Sequence, residues 1–159
     1  MAQPDREAVY AALLSLLTAA VGPTAGGGNN TFLTVQRRFI TIFEADQAMA
    51  PYLIQTQIGE EIKTLKGVPS KRTFNVLLYC YIDFGGESSV VPDTALNNLV
   101  TQLEAALAPN AATGYQQLTV QGVQVSSVVV NGKVDYLTNT GNGNTWAMCV
   151  VPVEIVATY

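Results

Sequence analysis

TFNVLLYCYIDF, residues 73–84, decides how this chain is read. In an extended segment Phe74, Val76, Leu78, Cys80, Ile82 and Phe84 alternate onto one face, and Leu77, Tyr79 and Tyr81 onto the other. Apolar character on both faces predicts a central strand, covered on one side by helices. Gly85-Gly86 breaks it. Downstream, Pro92-Asp93 opens a helix whose Leu96, Leu99, Val100, Leu103 and Leu107 form one stripe, and Pro109 ends it. Upstream, residues 60–70 hold the densest charge in the chain, with Gly67 and Pro69 as turn residues, and read as a long hairpin arm.

Working outward, residues 51–58 predict a strand with Tyr52, Ile54 and Ile58 on one face. A short turn or helical piece is expected at 44–50. Residues 32–43 read as a strand built around Arg37 and Arg38. Nearer the N-terminus, Val9, Leu13, Leu16 and Leu17 recur at helical spacing. Pro4 suits a first helical position, Asp5 and Glu7 a first turn, and Gly22-Pro23 a stop. Residues 8–21 have the apolar character of an export signal, but Asp5, Arg6 and Glu7 sum to −1 where a positive leader belongs, so a packed helix is expected instead.

Past the second helix, residues 118–130 read as a strand leading into Asn131-Gly132, a type I′ hairpin signal, with 134–137 returning from the turn. A Gly/Asn loop spans 138–144. Residues 146–156 form the closing strand, with Ala147, Cys149, Val151, Val153 and Ile155 inward. Pro152 removes one ladder donor and puts that strand at an edge or bulge. The order α-β-β-β-α-β-β-β predicts an α+β fold: a single, mainly antiparallel β-sheet with two α-helices packed on it. One domain covers 1–159, with no linker or internal repeat.

Composition limits the function. Only 13% of the chain is charged, about half the ~25% usual in soluble domains. Yet 48% is apolar, and no stretch is long enough to span a membrane. Such a chain has few charges with which to cover its surface, and uncharged patches mark contact surfaces. It reads as a subunit of an assembly. A net charge of −4 argues against a nucleic-acid binder, which presents a basic face. Cys80 and Cys149 lie in apolar runs and read as buried free thiols, not as a disulfide framework or zinc site.

Chemistry-bearing motifs are sparse. Gly26-Gly27-Gly28 precedes a strand and lacks a following Gly-Lys-Ser/Thr, so it is a flexible loop and not a phosphate cradle. Asn29-Asn30-Thr31 matches a glycosylation acceptor, a pattern common by chance. The chain has no histidine, which removes a base for Ser126, Ser127 or either cysteine. Glu60 and Glu61 are neighbours, but on an extended segment they point to opposite faces and do not converge. Glu44 and Asp46 flank a short turn and read the same way. Arg37 and Arg38 also face opposite sides, one solvated and one available to a carboxylate at an interface. No catalytic constellation, cofactor site or metal site emerges.

Order and spacing carry a resemblance along nearly the whole chain. Arg6-Glu7-x-Val9-Tyr10-x-x-Leu13-Leu14 is followed by Val35-x-Arg37-Arg38 and Ala50-Pro51-Tyr52-Leu53. The helix 96–107 comes next, then a Gly/Asn loop and Val150-Val151-Pro152-Val153-Glu154-Ile155. In this the chain resembles the tail terminator (tail completion, or minor tail) proteins of long-tailed bacteriophages. The individual motifs are short, and the arm at 60–70 and the loop at 138–144 depart from the family.

The resemblance implies a non-enzymatic virion protein without cofactors, made in the host cytoplasm. It would form a hexameric ring at the head-proximal end of the tail, end tube polymerisation and join tail to head. Its partners would be further copies of itself, the tail tube protein and a neck or head-completion protein. DNA would pass through without specific binding, and no membrane is involved. Glu60, Glu61, Asp83 and Glu87 are candidates to line the channel, since acids let a polyanion slide. Arg37, Arg38, Lys63, Lys66, Lys71, Arg72 and Pro152 are candidates for subunit or tube contacts. The competing readings are another neck or head-closure component, or a small-molecule-binding domain or enzyme on the same sheet.

Overall fold

The computed structural model describes residues 5–24, 28–85, 91–138 and 145–159. Pro4, Gly26, Gly27, Glu87 and most of the 138–144 loop lie outside them. Helix α1 (Arg6–Val21) begins where the Asp5 carboxylate accepts the Ala8 N–H at 3.1 Å, so Asp5 caps the helix rather than joining its first turn. At its end the Gly22 N–H donates to the Thr18 carbonyl. A Cβ on Gly22 would stand 2.5 Å from that oxygen, so glycine is needed for the exit.

Three strands follow: β1 (Thr34–Gln36), β2 (Tyr52–Lys63) and β3 (Lys71–Asp83). Helix α2 (Pro92–Leu107) precedes β4 (Gln124–Val130), β5 (Asp135–Thr138) and β6 (Trp146–Thr158). The sheet runs β1-β2-β3-β6-β4, with β5 also on β6. All pairings are antiparallel except β1 with β2. The class is α+β with two helices, and the sheet curls into a half-barrel.

Strand β3 is central, between β2 and β6, as its two apolar faces require. Phe74, Val76, Leu78, Cys80 and Ile82 point to the helices, where they meet Val9, Leu13 and Leu17 of α1 and Leu96, Leu103 and Leu107 of α2. Ala147, Cys149, Val151, Val153 and Ile155 of β6 complete this core, all essentially inaccessible. Buried Gln55 donates from Nε2 to the Tyr10 carbonyl at 2.9 Å, which ties α1 to β2.

Four sequence readings are corrected. The strand expected at 32–43 shrinks to β1, because parallel neighbours need a crossover and residues 37–51 supply it. This crossover passes over the sheet face opposite the helices, where Ile40, Ile42 and Ala45 pack on Tyr52, Ile54 and Tyr81. Second, β2 runs on to Lys63, and Ile58 sits in a bulge between Gln57 and Gly59, exposed and out of line with Tyr52 and Ile54.

Third, Asn131-Gly132 does not turn a hairpin. β4 and β5 do not pair with each other; they lie in succession along β6 as one interrupted strand. Fourth, of the edge or bulge expected at Pro152, the edge is overturned because β6 is an interior strand, while the ladder is irregular opposite the proline. The Pro152 carbonyl accepts the Asn131 N–H on the β4/β5 side. The donor that proline lacks would point to that same side, and there the partner strand breaks. Pro152 thus disrupts its neighbour and not its own strand.

Candidate interaction surface

Side chains alternate across β3, so the residues that do not meet the helices form a second, open face. Leu77 lies opposite Pro152, Tyr79 opposite Val150 and Tyr81 opposite Met148. All but Tyr81 are only half-buried. At one end of this face the crossover stands over β3 and β6 and leaves a groove of about 330 Å³. Its floor is Tyr79, Tyr81, Trp146 and Met148; its walls are Phe39, Ile42, Phe43 and Leu137. The Phe39 and Tyr79 rings meet edge to face at 5.1 Å. Phe43 is 91% exposed.

Two of the groove's hydroxyls are engaged within the chain. The Tyr81 hydroxyl donates to the Ile40 carbonyl at 2.9 Å, and the Thr41 hydroxyl donates to Glu44 at 2.9 Å. Burial, with smaller contributions from Tyr79 and Glu44, pushes the Tyr81 pKa up to about 12. The lining is mostly aromatic and aliphatic, and the arrangement suits apolar contact.

The second feature is the arm, the β2–β3 hairpin from Glu60 to its tip at 64–70. Ile62, Leu65 and Val68 are exposed on it, as are Lys63, Lys66 and Lys71. Its base is braced. Glu60 accepts from Arg6 Nε and from Arg72 Nη1, each at 2.6 Å, and its side chain is only 14% exposed. Burial works to raise the Glu60 pKa, but the two arginine hydrogen bonds outweigh it and hold the carboxyl below its usual range. Arg72 also lies 5.3 Å from the centre of the Tyr159 ring.

The sequence candidates therefore separate. Glu60 and Arg72 pair with each other on the helix side of the sheet, and Arg37 pairs with Glu7 of α1 through its two terminal guanidinium nitrogens, above the Tyr10 ring. Arg38, Glu61, Lys63, Lys66 and Lys71 are exposed, and Asp83 is half-exposed opposite Trp146. Glu60 and Glu61 do diverge, Glu60 beside Phe74 and Glu61 beside Thr73. Among the described residues the structure does not bring these acids together, and Glu87 lies outside them. Sequence reasoning missed the groove, because its walls come from a segment that reads as a strand, and missed the Arg6–Glu60–Arg72 cluster, whose members lie far apart in sequence. Among the described residues no three Cys, Asp or Glu side chains gather as a metal-holding group. Cys80 and Cys149 face each other across β3 and β6 as buried free thiols, as expected.

No protein-family model matches the chain, and no curated protein matches it in sequence.

Proposed function

We propose that this chain is a virion structural protein of a long-tailed bacteriophage, a tail terminator that forms a ring, six-fold by the resemblance, at the head-proximal end of the tail. The observation that carries the reading is the open sheet face: an apolar groove and an apolar, lysine-bearing arm stand exposed on one chain that is poor in charge. A lone domain has no use for two such surfaces, whereas a ring needs two different ones on every subunit. The order of motifs along the chain supports the particular kind of ring.

Enzymatic action is not part of the proposal. A substrate site combines an apolar pocket with a few convergent, available polar groups, and the hydroxyls of Tyr81 and Thr41 are occupied within the chain. Among the channel candidates, Glu61 and Asp83 are accessible, while Glu60 is compensated by two arginines. Glu60 accordingly presents no free negative charge to a channel.

Light scattering in the presence of purified tail tubes tests the reading. Six times 16.9 kDa gives a ring of about 100 kDa, closed by heterologous contacts. Labelled protein at the head-proximal end of intact particles is the expected location. Label elsewhere in the neck would favour a head-closure component, and a chain that stays single beside tubes would end the proposal.

A further inference from the structure

We infer that the 62–68 segment of one subunit's arm seats in the groove under Phe43 of the next copy. The inference rests on the assembly reading above and names its two surfaces.

The first ground is chemical match. Ile62, Leu65 and Val68 are at least half exposed, with Leu65 at 70%. The groove walls offer apolar surface of the same kind in Phe39, Phe43 and Leu137. Each patch is the sort of surface that a partner covers.

Charge complementarity is the second. The arm's end carries Lys63, Lys66 and Lys71 against Glu61, a balance of +2. Around the groove stand Glu44, Asp46, Asp83 and Asp135 against Arg38 and Lys133, a balance of −2. Their placement is fixed by the fold. Glu44 is held by Thr41 of the groove wall, and the Asp46 N–H donates to Tyr52 in the cluster beneath. Asp83 lies opposite Trp146, and Asp135 is two residues from Leu137 on β5. Opposed potentials set orientation and exclude arm-to-arm pairing.

Geometry supplies the third ground, since the arm cannot fill its own groove. Lys71 at the arm and Tyr79 in the groove lie on the same strand, about 27 Å apart at ~3.4 Å per residue. The tip points away from Lys71 on the far side. A contact between the two surfaces therefore joins two copies head to tail, and such a contact propagates into a ring or a filament.

Disulfide trapping in the full chain tests this. Leu65→Cys and Phe43→Cys are made separately, mixed and oxidised; buried Cys80 and Cys149 stay out of the reaction. A covalent dimer at least ten times more abundant in the mixture than in either variant alone is expected. Equal yields would overturn the inference. As a second measurement, Lys66→Glu should weaken association about tenfold and Glu44→Lys should restore it; a loss without rescue counts against the contact. Wild-type rings that persist while trapping and charge exchange both fail would overturn the arm contact and leave the ring reading standing. Trapped chains that form without any affinity for tail tubes would keep the contact and remove the terminator reading.

Discussion

Gly132 lies so close to the ring of Pro152 that a Cβ added to it would stand 3.1 Å from Cγ, and its φ of +123° is one that side chains rarely adopt. The pair marks the point where β4 stops and β5 has not begun. Gly132→Val should therefore cost about 1–3 kcal/mol, read as a lower urea midpoint with an unchanged slope. In a double-mutant cycle, Pro152→Ala should recover part of the loss. Fully additive effects would mean that the two residues do not sense each other.

Glu60→Gln removes the charge between Arg6 and Arg72 and should destabilise by roughly 1–3 kcal/mol, since it leaves two guanidinium groups poorly matched. Arg6→Ala, at the more exposed partner, should cost less.

The same cluster sets the response to acid. Glu60, Glu7 and Glu44 all have folded-state pKa values below the usual 4.5, so the unfolded chain binds more protons near that pH. Their contribution is complete above pH 4.5 and is lost as pH falls through the lower folded-state values. With no histidine, side chains give stability no comparable slope between pH 6 and 8. Thermal scans across pH 2–8 should be flat above 6 and fall below 4.5, and Glu60→Gln should flatten the acid limb.

Cys80 and Cys149, fully buried in the core, should resist a thiol reagent in the native protein and react together on unfolding. Burial first, and the neighbouring Cys149 second, raise the Cys80 pKa well above its ordinary value, which keeps it in the unreactive thiol form.

Leu78→Ala, in the middle of β3, should cost about 2–5 kcal/mol, as a buried leucine does when its space cannot collapse. Phe43→Ser should leave stability within about 0.5 kcal/mol, because the ring is in solvent. It should lower the binding of a hydrophobic dye, a comparison that separates core from contact surface.

Legibility in the sequence followed the range of the forces involved. Strand β3, the stripe of α2 and the inward row of β6 each repeat one local period, and all appear where that period places them. The element order follows from them. Residues 37–43 are rich in β-formers, yet their conformation is set by a parallel β1–β2 pairing that no local pattern reveals. Asn131-Gly132 carries a strong local turn preference, and it is overridden by β6, which holds both flanking strands. The groove and the Glu60 cluster were hidden for the same reason: each exists only after distant segments meet.

The place of β6 in the sheet has a consequence for the order in which the protein can be built. Strand β3 is synthesised about sixty residues ahead of one of its two neighbours, Trp146–Thr158, and the pairs they form join Asp83 to Trp146 and Lys71 to Thr158. Until then a strand that is apolar on both faces has a bare hydrogen-bonding edge. Nascent chains are therefore open to pairing with each other during this interval. A chaperone that shields β3 until β6 arrives would act on yield without touching the finished fold.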